Sequence, residues 1–184
     1  MSHSINSPFR YAGGKFYARK LILGHIPHHT AYIEPFAGGG SIFFAKSKVD
    51  YNLLNDIDDE LVNVYLTIRD CPEKLIVFLQ KRKVKESRIP QKYTEDVLIG
   101  EPLPATKDLH GFFKNDFNPQ NDIERARRWF YLNRTSYSGI MNIKNMYWGY
   151  GDQFSMQPKN WLANILRTSE KLQNHFYQTC HSAI

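Results

Sequence analysis

Apolar positions in the first third of the chain fall in short runs broken by polar turns. Later they fall in stripes at helical spacing. Tyr32–Glu34 reads as a short buried strand, Ser41–Ala45 as the opening of a helix, and Asn52–Leu54 as a second strand. Between Asp59 and Asp70, Leu61, Val62, Tyr65 and Ile68 recur at the spacing of one helix face. A further helix is expected from Pro72, a good first-turn residue, through "PEKLIVFLQKR". Ahead of the first strand, Tyr17–Ile26 reads as a helix with Leu21 and Ile22 inward, ended by Pro27. The stretch from about Lys83 to Lys107 turns polar and holds Pro90, Gly100, Pro102 and Pro104, which marks a loop. "NDIERARRWFYLNRTSY", from Asn121, reads as a helix capped by Asn or Asp with glutamate in its first turn. Gly139–Met156 is irregular, and Pro158 opens an amphipathic helix with Trp161, Leu162, Ile165, Leu166, Ser169 and Leu172 on one side. The tail "HFYQTCHSAI" has no clear period.

Strands alternating with helices predict a parallel α/β sheet, followed by a mostly helical block. Two convincing strands are few for such a sheet. The chain has 184 residues, 42% hydrophobic and 23% charged, enough for one domain with a core. No apolar run approaches the roughly 18 residues of a membrane span, and no signal-peptide pattern opens the sequence. Cys71 and Cys180 form no CxxC pair, so neither a zinc site nor a disulfide framework is expected, and the cytoplasm is the default compartment. The net charge of +6 favours a polyanionic partner such as nucleic acid, although many globular proteins are mildly basic without one.

The most informative stretch is "YIEPFAGGGSIFF", Tyr32–Phe44. A strand that runs through glycines into a helix lets a ligand approach bare backbone beyond the strand tip. This is not the GxGxxG of dinucleotide enzymes, and Glu34 would repel a pyrophosphate. Asp56 follows Glu34 by 22 positions, the offset at which an acid at the second strand tip takes ribose hydroxyls. An amine-bearing, ribose-bearing cofactor without phosphates points to S-adenosylmethionine. The same residues also fit a structural turn flanked by surface acids. A second glycine element, Ala12-Gly13-Gly14-Lys15, again leads into a helix, with Lys15 placed to meet a carboxylate and Tyr11 to pack on a ligand.

Together these blocks resemble the D12 class of adenine-specific DNA methyltransferases, the Dam-like enzymes with alpha motif order. "RYAGGK" resembles their N-terminal cofactor motif, "YIEPFAGGGSIFF" the main glycine motif and "NDIDDELVNVYLTI" the acidic ribose motif. "FYLNRTSYSGI", Phe130–Ile140, resembles the start of the DNA-recognition segment. The resemblance implies an α/β, Rossmann-like S-adenosylmethionine-dependent methyltransferase core, here its N-terminal part, with an inserted helical DNA-recognition domain. It places the cofactor against Tyr11, Gly13, Gly14, Lys15, Glu34, Pro35, Phe36, Gly38, Gly40 and Asp56. It places a tyrosine that enters the base stack at Tyr137. Ser138 and Asn142 depart from the family's pattern, so no target sequence carries over. The implied division is 1–70 for the cofactor core, 71–157 for target recognition with a loop insertion near 84–107, and 158–184 for a returning helix and tail. A restriction–modification, phage or mobile-element context is implied as well.

The recognition block has suitable chemistry of its own. Arg125, Arg127, Arg128 and Arg134 put dense positive charge on one helix, which suits the phosphates of double-stranded DNA. Ser136, Tyr137, Ser138 and Asn142 offer groups for base edges, and Tyr147, Trp148, Tyr150 and Phe154 can stack on bases or fill the gap of a flipped one. The same arginines also fit a solvated face, and the aromatics a small core; Trp129 and Trp161 read as core. No metal ligand set is expected. The family's (D/N)PP(Y/F) catalytic tetrapeptide has no counterpart: "NSPF" and "FNPQ" each hold one proline. The expectation is an incomplete core with one bare edge on its first strand, dependent on a complementing C-terminal polypeptide for activity. Two alternatives are a non-catalytic fragment that binds cofactor or DNA, and a methyltransferase acting on RNA or protein amines.

Overall fold

The computed structural model describes residues 4–80 and 100–173. Most of the expected loop near 84–107, the irregular tail and Cys180 lie outside the described residues.

The N-terminal unit runs α1 (Arg19–His25), β1 (Ala31–Glu34), α2 (Ser41–Ala45) and β2 (Tyr51–Leu54). The two strands are parallel, with Ala31 opposite Tyr51 and Glu34 opposite Leu54, so their tips end level. Asn55 ties those tips together. Its N–H donates to the Glu34 carbonyl at 2.9 Å, and its side chain donates to the Pro35 carbonyl at 3.0 Å. Five helices follow: α3 (Asp59–Asp70), α4 (Pro72–Phe78), α5 (Lys107–Asn115), α6 (Asp122–Thr135) and α7 (Trp161–Leu172). Asp58 caps α3 by accepting from the N–H groups of Glu60 and Leu61, and Asn121 caps α6 by accepting from that of Glu124. Each such cap is worth about 1 kcal/mol.

A single apolar cluster joins both halves of the chain. Phe9, Phe43, Phe44, Leu61, Val64 and Ile68 meet Trp129, Phe130, Trp161 and Ile165 in it. Trp129 and Trp161 are core, as their spacing implies. Phe9 stands at the joint, with its ring 5.0 Å from Tyr65 and 4.7 Å from Trp129.

Three elements differ from the sequence pattern. Leu21, expected inward, is 68% exposed, and α1 buries no residue fully. Among the described residues α1 packs mainly on the five-residue α2, which is too short to cover an apolar stripe. The β1 strand is not buried as a whole, since Ile33 is 53% exposed and only Glu34 is buried. Among the described residues β1 pairs with β2 alone, which leaves its other edge open. Finally, α5 stands between the polar stretch and α6, where the sequence pattern predicts no element. It buries just His110 and Phe113, and Gly111 interrupts its pattern. Pro102 and Leu103 before it are pinned rather than loose: Leu103 donates to the Leu79 carbonyl at 2.7 Å, and Pro102 bridges to Gln80.

Leu61 is fully buried where α3 meets the central cluster. Leu61→Ala is expected to destabilise the fold by about 3 kcal/mol. Chemical denaturation measures this, and a loss below about 1 kcal/mol would show that the cluster is not tightly packed.

Candidate functional site

The glycine turn after β1 is held from below by two side chains. The Asp56 Oδ2 accepts from the Gly38 N–H at 2.8 Å, and the Tyr65 hydroxyl donates to the Gly38 carbonyl at 2.9 Å. Gly38 and Gly40 take left-handed backbone, with φ of 49° and 63°. Gly39 is needed for close approach, because a Cβ there would lie 3.1 Å from the Ser7 Oγ and 3.2 Å from the Phe9 carbonyl oxygen. The glycines therefore serve the protein's own N-terminal strip, Ser7–Tyr11, as much as any ligand. Ser7 seals this contact by donating to the carbonyls of Phe9 and Gly39. Nothing in the sequence marks Ser7 for that task.

Above the turn lies an open cleft of about 340 Å³, within the usual range for small-molecule sites. Of the residues expected at a cofactor, Tyr11, Gly13, Gly14, Lys15, Phe36, Gly38 and Asp56 line it, and Ala12, Ala37, Gly39 and Ser41 join them. Glu34, Pro35 and Gly40 do not line it. Asp56 also accepts from the Asp58 N–H at 3.1 Å through Oδ1. Each of its oxygens keeps a lone pair, which leaves room for a diol. Phe36 is 68% exposed at the rim. Burial, with Asp56 and Asp58 nearby, raises the Tyr11 phenol above its ordinary value, so it remains a neutral hydroxyl.

Glu34 has a different position from the one expected. It is buried, accepting from the Tyr32 hydroxyl at 2.5 Å and from the Phe43 N–H at 3.0 Å through Oε1. It thus anchors α2 to β1. Its Oε2 is buried with no hydrogen-bond partner. Burial pushes the carboxyl above the ordinary glutamate range, while Tyr32, the Phe43 N–H, Lys15 and Lys46 pull it back. The exposed Lys15 at the cleft suits a ligand with a carboxylate group, while Glu34 stays behind the turn. Together with Asp56 this donor set fits S-adenosylmethionine.

The recognition segment departs further from expectation. Arg125, expected at phosphates, reaches Glu60 at 2.8 Å, Asp59 at 2.9 Å and Asp122 at 3.0 Å. Arg128 donates to the carbonyls of Phe113 and Lys114 at the end of α5. Arg127 lies over the rings of Phe113, Phe117 and Phe78. Arg134 is buried and donates to the Pro8 carbonyl. Burial, with Arg10 beside it, lowers the Arg134 guanidinium from its ordinary value. These arginines bind the fold together because α6 runs through its middle, where helix ends and loops offer carbonyls and carboxylates. Ser136 is also buried, so it presents nothing to a base edge.

What remains outward is a short surface after α6. Tyr137 is 63% exposed, and Ser138, Asn142, Tyr147 and Phe154 are exposed with it. Asn142 accepts from the Lys144 N–H at 3.0 Å, which leaves its amide N–H₂ free to donate. Ser138 takes left-handed backbone at φ 52° and ψ 15°, which costs a non-glycine residue about 1 kcal/mol. Such a conformation persists only where its surroundings impose it. Here Tyr137 donates to the Tyr147 carbonyl at 2.8 Å, and Ser136 bridges to Trp148.

Comparison with known proteins identifies a family. The family model for D12 class N6 adenine-specific DNA methyltransferases matches residues 11–182. The chain belongs to this family. Its relatives include a DNA N-6-adenine-methyltransferase of Escherichia phage P1, 32% identical over 73% of this chain and 16% of the relative. The DNA adenine methylase of Escherichia coli K12 is 26% identical over 91% of this chain and 55% of its own length. The type II methyltransferase M1.LlaDCHI of Lactococcus lactis subsp. cremoris is 30% identical over 76% and 45%. The chain thus spans about half or less of the length of these relatives. Among the described residues of this D12 chain, no helix is long and apolar enough to cross a membrane, and no metal-holding cluster of His, Cys, Asp and Glu is present.

Two outcomes test the site. A carboxyl raised by burial favours folding while protonated and loses that contribution as pH rises through its folded value. Glu34→Gln should therefore gain thermal stability relative to the parent as pH rises from about 4, the ordinary glutamate value, toward neutrality. A pH-independent difference between the two melting curves overturns this. Arg125→Ala should cost about 1 kcal/mol of stability, as expected for a partly exposed ion-pair network. Its duplex affinity should stay near that of the parent; a selective loss of duplex binding would return Arg125 to the DNA surface.

Proposed function

We propose that this chain supplies the cofactor cleft and part of the DNA-reading surface of an adenine-N6 DNA methyltransferase that uses S-adenosylmethionine. One observation carries the reading. The strip Pro8–Lys15 lines the cleft at one end and packs on the recognition segment at the other, so ligand and duplex surfaces share a wall.

In this reading Asp56 accepts the ribose hydroxyls, Lys15 pairs with the cofactor's carboxylate, and Glu34 acts from behind the turn by holding α2 to β1. Tyr11, Phe36 and the backbone of Gly13, Gly14 and Gly38 shape the walls, Gly40 turns the chain into α2, and Pro35 fixes the strand exit. When bound, the cofactor supplies a methyl group on a sulfonium. Tyr137 enters the stack beside a flipped adenine, and Ser138 and Asn142 approach base edges. Half-buried Arg128, and buried Arg134 and Ser136, support this surface from behind, and Arg125 braces α6 against α3. Catalysis comes from positioning, since the adenine amine shares its lone pair with the ring. Holding that amine requires the acid–Pro–Pro–aromatic element, which this sequence does not contain. A segment that carries it completes the enzyme.

Titration calorimetry and labelled-methyl transfer test this together. Asp56→Ala should weaken S-adenosylmethionine binding by about tenfold or more, the loss of one charge-assisted hydrogen bond. Tyr137→Ala should spare that binding and weaken duplex binding. Transfer to adenine-containing duplexes should require the complementing polypeptide. Cofactor affinity indifferent to Asp56 overturns the cleft assignment. Methyl transfer by this chain alone overturns the need for the tetrapeptide.

A further inference from the structure

Arg10 is half-buried and is used from both ends. Its main chain exchanges two hydrogen bonds with one side chain of α6. The Arg10 N–H donates to the Asn133 Oδ1 at 3.2 Å, and the Asn133 Nδ2 donates to the Arg10 carbonyl at 2.7 Å. Its guanidinium reaches past them to the carbonyls of Arg134 at 2.7 Å and Ser136 at 3.2 Å. These carbonyls belong to the last turn of α6 and its C-cap, where the helix leaves its acceptors unpaired. The next residue, Tyr11, is a wall of the cleft. Its ring lies against Gly38, where an added Cβ would be 3.0 Å away.

The far side is equally tight. Gly139, at φ 68°, leaves no space for a Cβ, which would lie 2.4 Å from the Arg10 carbonyl oxygen. Gly149 packs on the Tyr137 backbone in the same way, with a Cβ position 2.3 Å from the Tyr137 Cα. The left-handed Ser138 lies between these contacts. One path of direct contacts therefore runs from the glycine turn through Tyr11 and Arg10 to the end of α6 and the Tyr137–Ser138 corner.

We infer that Arg10 is a positioning residue: the grip of its guanidinium Nη2 on the two carbonyls orders the Tyr137–Gly149 surface when the cleft is filled. The inference rests on the cofactor reading above. A ligand that fixes Tyr11 against Gly38 also fixes the residue before it, and through it the carbonyls of Arg134 and Ser136. By reciprocity, a duplex that fixes Tyr137 tightens the cleft. Both bonds come from one nitrogen, Nη2, which the planar guanidinium holds in place; a lysine carries the same charge on a flexible stem without that plane.

Amide hydrogen exchange, with and without S-adenosylmethionine, reads this directly, because local openings report local stability. In the parent chain the cofactor should slow exchange at Gly38 and Gly14. It should also slow exchange by about fivefold or more, the lower range of such couplings, at the Tyr137 and Gly149 amides. Arg10→Met should keep the protection at Gly38 and lose it at Tyr137 and Gly149, with Arg10→Lys in between. Thermal melting confirms that each variant is folded, and the parent chain alone decides whether the two regions are coupled. Parent protection confined to the cleft ends the coupling and leaves the cofactor reading standing. Full remote protection in Arg10→Met removes Arg10 as the link. No protection anywhere in the parent removes the cofactor reading, and the coupling with it.

Discussion

The structure depends on where the Pro8–Tyr11 strip is seated. This strip is not part of a helix or strand, so the backbone groups it buries must find partners elsewhere. It finds them on α6: Asn133 takes both main-chain groups of Arg10, and Arg134 takes the Pro8 carbonyl. The other side of the strip covers the glycine turn, with Ser7, Phe9 and Tyr11 against Gly39. Without that seat the turn would lose its cover, and the ring of Phe9 would no longer join the α3 and α6 sides of the core. The cleft, the core and the recognition corner all border this one segment.

Charge within the molecule follows from the same economy. Guanidinium groups on α6 act as multi-donor caps for carbonyls that would otherwise be buried without partners. Lysines near the other end of the sheet do the same. Lys171 donates to the Lys46 carbonyl at 2.7 Å, and Lys48 donates to the Glu170 and Gln173 carbonyls at the end of α7. Burial, with Lys48 and Lys46 nearby, pulls Lys171 down to about 8. A net positive charge therefore says less about a polyanionic partner here than the composition implied, because many of the cations already serve the fold.

This explains what the sequence revealed and what it concealed. Helix α3 stood out because four apolar residues at regular spacing lie between clear polar boundaries, whereas its Asp58 cap came only from the structure. The cleft residues were legible because glycines and a following acid have few uses in combination. The arginines of α6 were misjudged, since an arginine that caps a carbonyl and one that meets a phosphate look alike in a sequence. Glu34 was read as facing the ligand, although its bond to the Phe43 N–H depends on the path of α2, which no local pattern encodes. Helix α5 escaped because two buried residues do not make a periodicity. The exposure of Leu21 and Ile33 depends on what stands opposite them, and that is a property of tertiary arrangement.

The pairing of Arg10 with Asn133 spans 123 positions. During synthesis the ribosome must release almost all of that intervening chain before the two can meet. At ordinary elongation rates of roughly 5–20 residues per second, that wait is on the order of ten seconds. Throughout it the β1–α2–β2 unit has emerged with its glycine turn uncovered and Phe9 unburied. The nascent protein is thus most vulnerable to proteases and wrong partners early, and its protection arrives with the emergence of α6.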